Sequence, residues 1–539
     1  MDLHIELSSI LPEERILTRP LERYAYANDA SYFRLIPQAV VQPASLDEIR
    51  GLFQFSQQNH IPLTFRAAGT SLSGQSVSNG ILVVLARHWG NVQVEDGGAR
   101  VRAQPGVVAG LINNVLKPFG RRIGPDPASI DTAMLGGILA NNSSGMCCGV
   151  QENAYHTIHS LTLVLPNGLV LDTAAPDAAA CFQEGAPDIF DGLLALRQRL
   201  LADVPLAERV RLRYQTKNTD GYSLNALLDF NDPIDILAHL MIGSEGTLGF
   251  IAEAVLDTMP DYTRKYTGQL YFRNMQDAAR AIPSLRDSGV RAAEIMERAA
   301  LRSVENLVGA PAILRQLPES AAAILVEYQA NTGEELANQR RSAAYAVREM
   351  SLLHDPEFTE DPLVQANLWK LRKGLLPTMG AMRSKGTSLV TEDLVFPVPH
   401  LAEAVTDLRS RFLSHGFKDA IIFGHAKEGN LHFNFNCLLN NQEEILRLES
   451  FLNDVLVMVR EKYDGALKGE HGTGRAVSPY LEAEWGSNGF GIMRDIKSLF
   501  DPSGMLNPGV IINPDPRSHV SNIKDLPTVE DEVDKCIEC

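Results

Sequence analysis

Two stretches near the C-terminal end constrain this chain more than any others, FGHAKEGNLHFNFN at 423–436 and GEHGTGR at 469–475. An apolar run from Ala420 to Phe423 leads into Gly424-His425, and a polar turn of Ala426 to Asn430 follows. The next segment alternates, with His432, Asn434 and Asn436 on one face and Leu431, Phe433 and Phe435 on the other. That is the pattern of a β-hairpin lying on a sheet, and it predicts that His425 and His432 come together. Two imidazoles and a carboxylate, with Glu470 as the candidate, make a three-ligand divalent-metal site that leaves positions open for a substrate. Zn, Mn and Fe(II) all accept that donor set. His471 follows Glu470 between glycines, where a base needs close access. A satisfied polar hairpin beside a Gly-rich loop is the plainer alternative. The Glu-His-Gly-x-Gly run alongside His-x6-His weighs against it.

A chain of 539 residues exceeds one ordinary core, so two to four domains are expected. The net charge of −17 repels nucleic acid and disfavours general attraction to an anionic membrane, although a local basic patch stays open. No apolar run approaches the roughly 18 residues of a membrane span. The opening MDLHIELSSILPEERI lacks the basic start and apolar core of a signal peptide. The expectation is a cytoplasmic protein without a membrane span, with peripheral contact at the inner face of a membrane as the variant.

Six cysteines are too few and scattered for a disulfide framework. Cys147 and Cys148 are adjacent, while Cys181 and Cys437 read as buried or incidental thiols. Cys536 and Cys539 form Cys-Ile-Glu-Cys in an acidic tail, and the chain stops on the second. The expectation is a boundary cut through an iron–sulfur motif of the Cys-x2-Cys-x2-Cys-x3-Cys type. Two ligands of four cannot hold a cluster, so one is expected only if the chain continues past Cys539. An irrelevant tail is the alternative.

Glycine-rich turns account for much of the N-terminal half. Ala39-Val40-Val41 is strand-like, Ser45 to Glu48 is a capping box opening a helix to about Gln58, and Ile61 to Phe65 is the next strand. That strand runs into RAAGTSLSGQSV at 66–77, whose small residues let successive N–H groups point at one spot, as a pyrophosphate requires. It is neither a Walker loop nor a Gly-x-Gly-x-x-Gly fingerprint. GPDPASIDTAMLGGILANNSSG at 124–145, KNTDGYSLNALL at 217–228 and LMIGSEGTLGFIAEAVL at 240–256 each add a glycine turn beside an apolar segment. Four such turns over about 190 residues of α/β patterning suggest a large dinucleotide-like ligand laid across a domain.

RAAGTSLSGQ, the Asp-x-x-x-Leu-Gly-Gly-x-x-Ala-Asn-Asn run, IGSEGTLG, GHAKEGNLHFNF, GEHGTGR and DPSGMLNPG occur in order from about 35 to 515. Together they resemble the FAD-linked D-2-hydroxyacid dehydrogenases of the vanillyl-alcohol oxidase and p-cresol methylhydroxylase (PCMH) type. The longer bacterial D-lactate dehydrogenases, in which an iron–sulfur domain follows, are the most similar. The resemblance implies an α+β chain with a two-subdomain PCMH-type FAD-binding fold and a cap or substrate domain carrying an antiparallel sheet. The FAD domain is expected over 1–265 (core about 35–260), the cap over 266–499, a return to the FAD domain over 500–515, and an exposed acidic linker over 516–539.

The family's pyrophosphate loop matches Arg66, Ala67, Ala68, Gly69, Thr70, Ser71, Gly74 and Gln75. Its second segment matches Pro125, Thr132, Gly136, Gly137, Asn141, Asn142, Ser144 and Gly145. Glu245, Gly246, Gly249 and Ile251 are implied in the same pocket, and Asn507 where the chain returns to the flavin. No His or Cys lies in 66–76, so noncovalent FAD is expected. The family's metal ligands match His425, His432 and Glu470, its base His471, a substrate amide Asn434, and a substrate-carboxylate arginine Arg372. One departure concerns substrate. The 2-hydroxyglutarate enzymes carry a lysine before their Asp-Leu-x-x-Pro segment, and here that position matches Thr391, in TEDLVFP, with Lys385 nearby in a different register. Loss of a cation favours a monocarboxylate, so D-lactate oxidation to pyruvate is expected, with D-2-hydroxyglutarate or glycolate as alternatives. Electrons would pass through an iron–sulfur domain to quinone or cytochrome. A flavin-free metal hydrolase would leave the four glycine segments unexplained.

Overall fold

The computed structural model describes residues 2–526. Its first sheet has Ala39–Val41, Ile81–Val84 and Leu63–Arg66 in parallel, with Ile16–Leu17 antiparallel at the edge. The helix Leu46–Asn59 opens as its sequence dictates, Ser45 Oγ accepting the Glu48 N–H at 3.3 Å, and it buries Ile49, Leu52 and Phe53 in a core shared with this sheet. A second, antiparallel sheet runs in the order Val92–Glu95, Arg100–Ala103, Phe250–Asp257, Ile158–Val164, Val170–Asp172.

The third sheet has seven antiparallel strands, in the order Glu357–Thr359, Arg264–Phe272, Ala322–Ala330, Ala292–Glu297, Ile421–His425, Asn430–Cys437, Ser388–Val395. The hairpin therefore sits inside the sheet, where both faces are covered. On one face Leu431, Phe433 and Phe435 pack with Phe412 and Phe451 from the helices Leu401–Ser414 and Gln442–Tyr463. The alternation read from the sequence then leaves His432 and Asn434 on the opposite face. Ile421 and Phe423 lie there too, in a smaller apolar cluster with Leu368 and Leu371 of the helix Pro362–Lys373.

Two expectations about the C-terminal part are corrected. The chain rejoins the first half before residue 500, because the helix Leu481–Phe500 buries Leu481, Trp485, Ile492, Met493, Ile496 and Phe500 in the core built by residues of 101–256. Residues 516–526 are not an exposed linker. Tyr32 donates its hydroxyl to the His519 carbonyl at 3.0 Å, Lys524 N–H donates to the Tyr32 carbonyl at 2.8 Å, and Val520 and Leu526 are buried. Val520, Ile523 and Leu526 give the segment an apolar surface to bury, and the acidic residues that suggested a linker lie beyond it, at 530–538. Cys536 and Cys539 lie outside the described residues.

Candidate active site

The hairpin brings the two histidines together through register. Phe423 pairs with His432 and His425 with Asn430, and the turn Ala426–Glu428 closes on Gly429 at φ +71°, where a Cβ would run into the Phe396 carbonyl. His425 Nε2 lies 2.9 Å from Glu470 Oε1, and His432 Nε2 lies 3.5 Å from the same oxygen. One donor atom from each of the three falls within 4.8 Å of the others, and all three residues are buried.

Each donor is backed by a further group. His425 Nδ1 stands 2.9 Å from both oxygens of Glu294, and His432 Nδ1 is 3.4 Å from Asp393 Oδ1. Asp393 Oδ2 accepts the backbone N–H groups of Gly469, Glu470 and His471 at 3.0, 2.6 and 2.9 Å, which shapes the loop around Glu470. Glu470 Oε2 accepts from Ser144 Oγ and Lys217 Nζ, both at 2.8 Å, and Lys217 also donates to the Gly145 carbonyl at 2.7 Å. Glu470 thus has one oxygen held from the first half of the chain and the other aimed at the histidines.

The charges follow from these partners. Burial alone would raise the Glu470 carboxyl, but Lys217 and His425 outweigh it and hold the group well below its ordinary range. Burial pushes His432 well below the usual imidazole value against the opposing pull of Asp393, and it lowers His471 in the same way. For His425 the burial effect is overcome by Glu294, and its value is raised. Two imidazole nitrogens and a carboxylate oxygen converging in a buried pocket, each histidine backed by a carboxylate, fit a divalent metal. A second trio, Asp393, His432 and His471, meets the same distance limit. It is the weaker candidate, because Asp393 Oδ2 already serves three backbone donors.

These residues close one end of a cavity of about 320 Å³. That lies at the lower end of the roughly 300–1,000 Å³ of small-molecule and cofactor sites. Arg372, Thr391, Phe423 and His471 line this end. Ala67 to Ser71 and Gln75 form one wall, Gly136, Gly137 and Asn141 another, and Glu245, Gly246, Gly249 and Ile251 a third. A Cβ added at Gly137 or Gly246 would meet nothing closer than 3.8 Å, so the space between these loops is open, as a flat dinucleotide requires.

Several residues singled out from the sequence stand behind the wall. Arg66 donates to the Tyr26 carbonyl at 3.1 Å and braces Gly69, where a Cβ would strike its guanidinium. Gly74 backs onto the Phe33 ring, Pro125 is buried away from the cavity, and Thr132 is exposed, with its hydroxyl on the Ser129 carbonyl. Asn142 takes the left-handed conformation at φ +50° and accepts the Tyr155 N–H, so it caps a helix. Ser144 and Gly145 serve Glu470 and Lys217. Asn507 Nδ2 donates to the carbonyls of Gln75 and Glu245, both at 2.9 Å, and ties two cavity loops together. Asn434 is fully buried outside the lining, and neither amide atom has a hydrogen-bond partner among the described residues.

Glu294, Asp393 and Lys217 are the residues of this candidate site that the sequence did not reveal. Lys217 and Asp393 fall in segments that drew notice for other reasons, whereas Glu294 lies in an unremarked strand. Cys147, Cys148, Cys181 and Cys437 are free thiols, Cys181 exposed and Cys148 and Cys437 buried.

An FAD binding domain matches residues 37–174, and the C-terminal domain of the FAD linked oxidases matches 263–511. The chain thus carries both an FAD binding domain and the C-terminal domain of the FAD linked oxidases. Among solved structures, p-cresol methylhydroxylase with substrate bound aligns at TM-score 0.66 and 12% identity, over 95% of this chain and 96% of that one. The fold is therefore the PCMH-type α+β arrangement. A D-2-hydroxyglutarate dehydrogenase of Escherichia coli K12 is 28% identical over 92% of this chain and 50% of its own length. A D-lactate dehydrogenase of Anaerostipes hadrus is 26% identical over 91% of this chain and 92% of its own. The chain thus spans about half the length of the D-2-hydroxyglutarate dehydrogenases it matches.

Proposed function

We propose that the protein is an FAD- and metal-dependent dehydrogenase of D-2-hydroxyacids, with D-lactate as first substrate and pyruvate as product. The observation that carries this reading is the convergence of His425, His432 and Glu470 at one end of the cavity whose other walls are the FAD-domain glycine loops. When bound, a divalent ion on these three residues supplies a Lewis acid for the C2 hydroxyl, and noncovalent FAD supplies the hydride acceptor. The remaining work falls to the chain. His471 lines the cavity beside the trio, with its pKa lowered by burial, and is the base assigned to take the hydroxyl proton. Arg372 is buried over the Phe423 ring at 5.0 Å and binds the substrate carboxylate, fixing which face of C2 meets the flavin. Asn434 shares the strand face of His432 but is fully buried behind the lining, so its unpartnered amide is assigned no direct substrate contact.

Electrons then leave for a quinone or cytochrome, through an iron–sulfur partner domain if one follows. No helix among the described residues is long and apolar enough to cross a membrane. A second substrate reading has its own support. Lys373 lines the cavity beside Arg372 with no hydrogen bond or ion pair among the described residues, and such a cation suits the second carboxylate of D-2-hydroxyglutarate. The test is anaerobic titration with D-lactate, L-lactate, D-2-hydroxyglutarate and glycolate while the flavin absorbance is followed. Bleaching by D-lactate at the lowest concentration is expected. Preference for D-2-hydroxyglutarate establishes the second reading, and a flavin that none of the four reduces refutes both.

A further inference from the structure

Glu294 occupies a position that neither ligand binding nor catalysis explains by itself. It sits in the strand Ala292–Glu297, opposite His425 in the register, with its side chain fully shielded from solvent. Both carboxylate oxygens stand 2.9 Å from His425 Nδ1, and Oε2 also stands 2.7 Å from Arg372 Nη2. One buried carboxylate therefore holds the back of a metal-ligand imidazole and the guanidinium assigned to the substrate carboxylate. Arg372 comes from a different element, the helix Pro362–Lys373, and is as buried as the histidine.

We infer that Glu294 is a positioning residue that couples metal binding to substrate-carboxylate binding, by sharing one carboxylate between His425 and Arg372. The inference rests on the metal and carboxylate roles proposed above. His425 presents Nε2 toward Glu470 only while its Nδ1 carries a hydrogen for Glu294, so Glu294 selects the tautomer that can ligate. The same oxygen draws Arg372 into line. His425 and Arg372 are the two groups in direct contact with the Glu294 carboxylate, with Lys217 acting on it from farther off, so a shift of Glu294 toward either partner weakens its hold on the other. Linkage then requires reciprocity, in that bound metal changes the affinity for a substrate carboxylate by the same factor as the bound carboxylate changes the affinity for metal.

The test is a double-mutant cycle on flavin-loaded protein, reading the dissociation constant of Zn by competition with a chromophoric chelator. Glu294→Gln is close in volume and keeps a hydrogen-bonding head, and it is expected to weaken Zn by about 10-fold or more. Arg372→Met touches no ligand, yet it is expected to change the Zn constant at least about threefold in the wild-type background. In the Glu294→Gln background that effect should disappear. At saturating Zn, Glu294→Gln should also raise the hydroxyacid KM more than it lowers kcat, because the arginine is no longer aimed. If Glu294→Gln fails to fold, Arg372→Met alone still decides, and an unchanged Zn constant overturns the coupling. Two effects that combine independently, within a factor of about two, overturn it as well. Wild-type protein that takes up no stoichiometric Zn sinks the metal reading and the coupling together, whereas stoichiometric Zn with independent variants sinks the coupling alone.

Discussion

Lys217 has 1% of its side chain exposed and its partner Glu470 has 9%, so this ion pair bears a desolvation cost that mutual attraction and the Ser144 hydroxyl must offset. Removing one member leaves the other charge buried and uncompensated, which typically costs about 3–5 kcal/mol. A metal ion on Glu470 would supply the missing positive charge. Lys217→Met is therefore expected to lower the thermal midpoint strongly after chelation, with most of the loss recovered on adding Zn. Differential scanning fluorimetry with and without Zn checks this, and an equal loss in both states contradicts the placing of a cation at Glu470. His425 and His432 declare themselves in the sequence because both lie in one hairpin. Lys217 does not, because its partner lies 253 residues away and no local spacing marks such a pair.

At the scale of elements, the hairpin was the most legible part of the molecule. Its alternation separates Phe433 and Phe435 from His432 and Asn434, and only one register buries the first pair in the aromatic core. The glycine loops were legible as anion cradles, but their individual residues were not. Arg66 and Asn507 read as ligand contacts, whereas the structure uses them to brace Gly69 and to tie the loops at Gln75 and Glu245. A sequence marks a loop that needs backbone freedom without distinguishing the wall from its supports. Gly474 illustrates the constraint. It sits at φ +55° with the position of a Cβ filled by the Ser73 backbone, and the neighbouring Arg475 N–H donates to the Ser73 carbonyl at 2.8 Å. Gly474→Ala must push 469–475 away from 71–75 at a cost of about 1–3 kcal/mol. FAD affinity and hydroxyacid turnover are expected to fall together by about 10-fold or more. Flavin fluorescence on dilution measures the first and dye reduction the second, and a loss of turnover with unchanged FAD affinity contradicts the shared support.

For the whole molecule, the candidate site exists only where the two halves of the chain meet. The 469–475 loop is fastened to the seven-stranded sheet through Asp393. It is fastened to the FAD-domain loops through Gln75 and Asn141, whose side chains donate to the His471 carbonyl at 2.7 and 3.1 Å. The helix Leu481–Phe500 then carries the chain back into the first core. Sequence order alone pointed to a later return, because an amphipathic helix does not declare which of two cores its apolar face will join. The resulting claim is that the metal trio and the flavin cavity form one reaction centre, with the trio needed for chemistry and dispensable for holding FAD. His432→Ala, purified with its flavin, tests this most directly by anaerobic stopped-flow reduction with the best hydroxyacid alongside metal analysis. Full FAD content, little metal, and flavin reduction slowed by about 100-fold or more are expected, with dithionite still bleaching the flavin. Metal-free His432→Ala that is reduced by the hydroxyacid at the wild-type rate would contradict that claim.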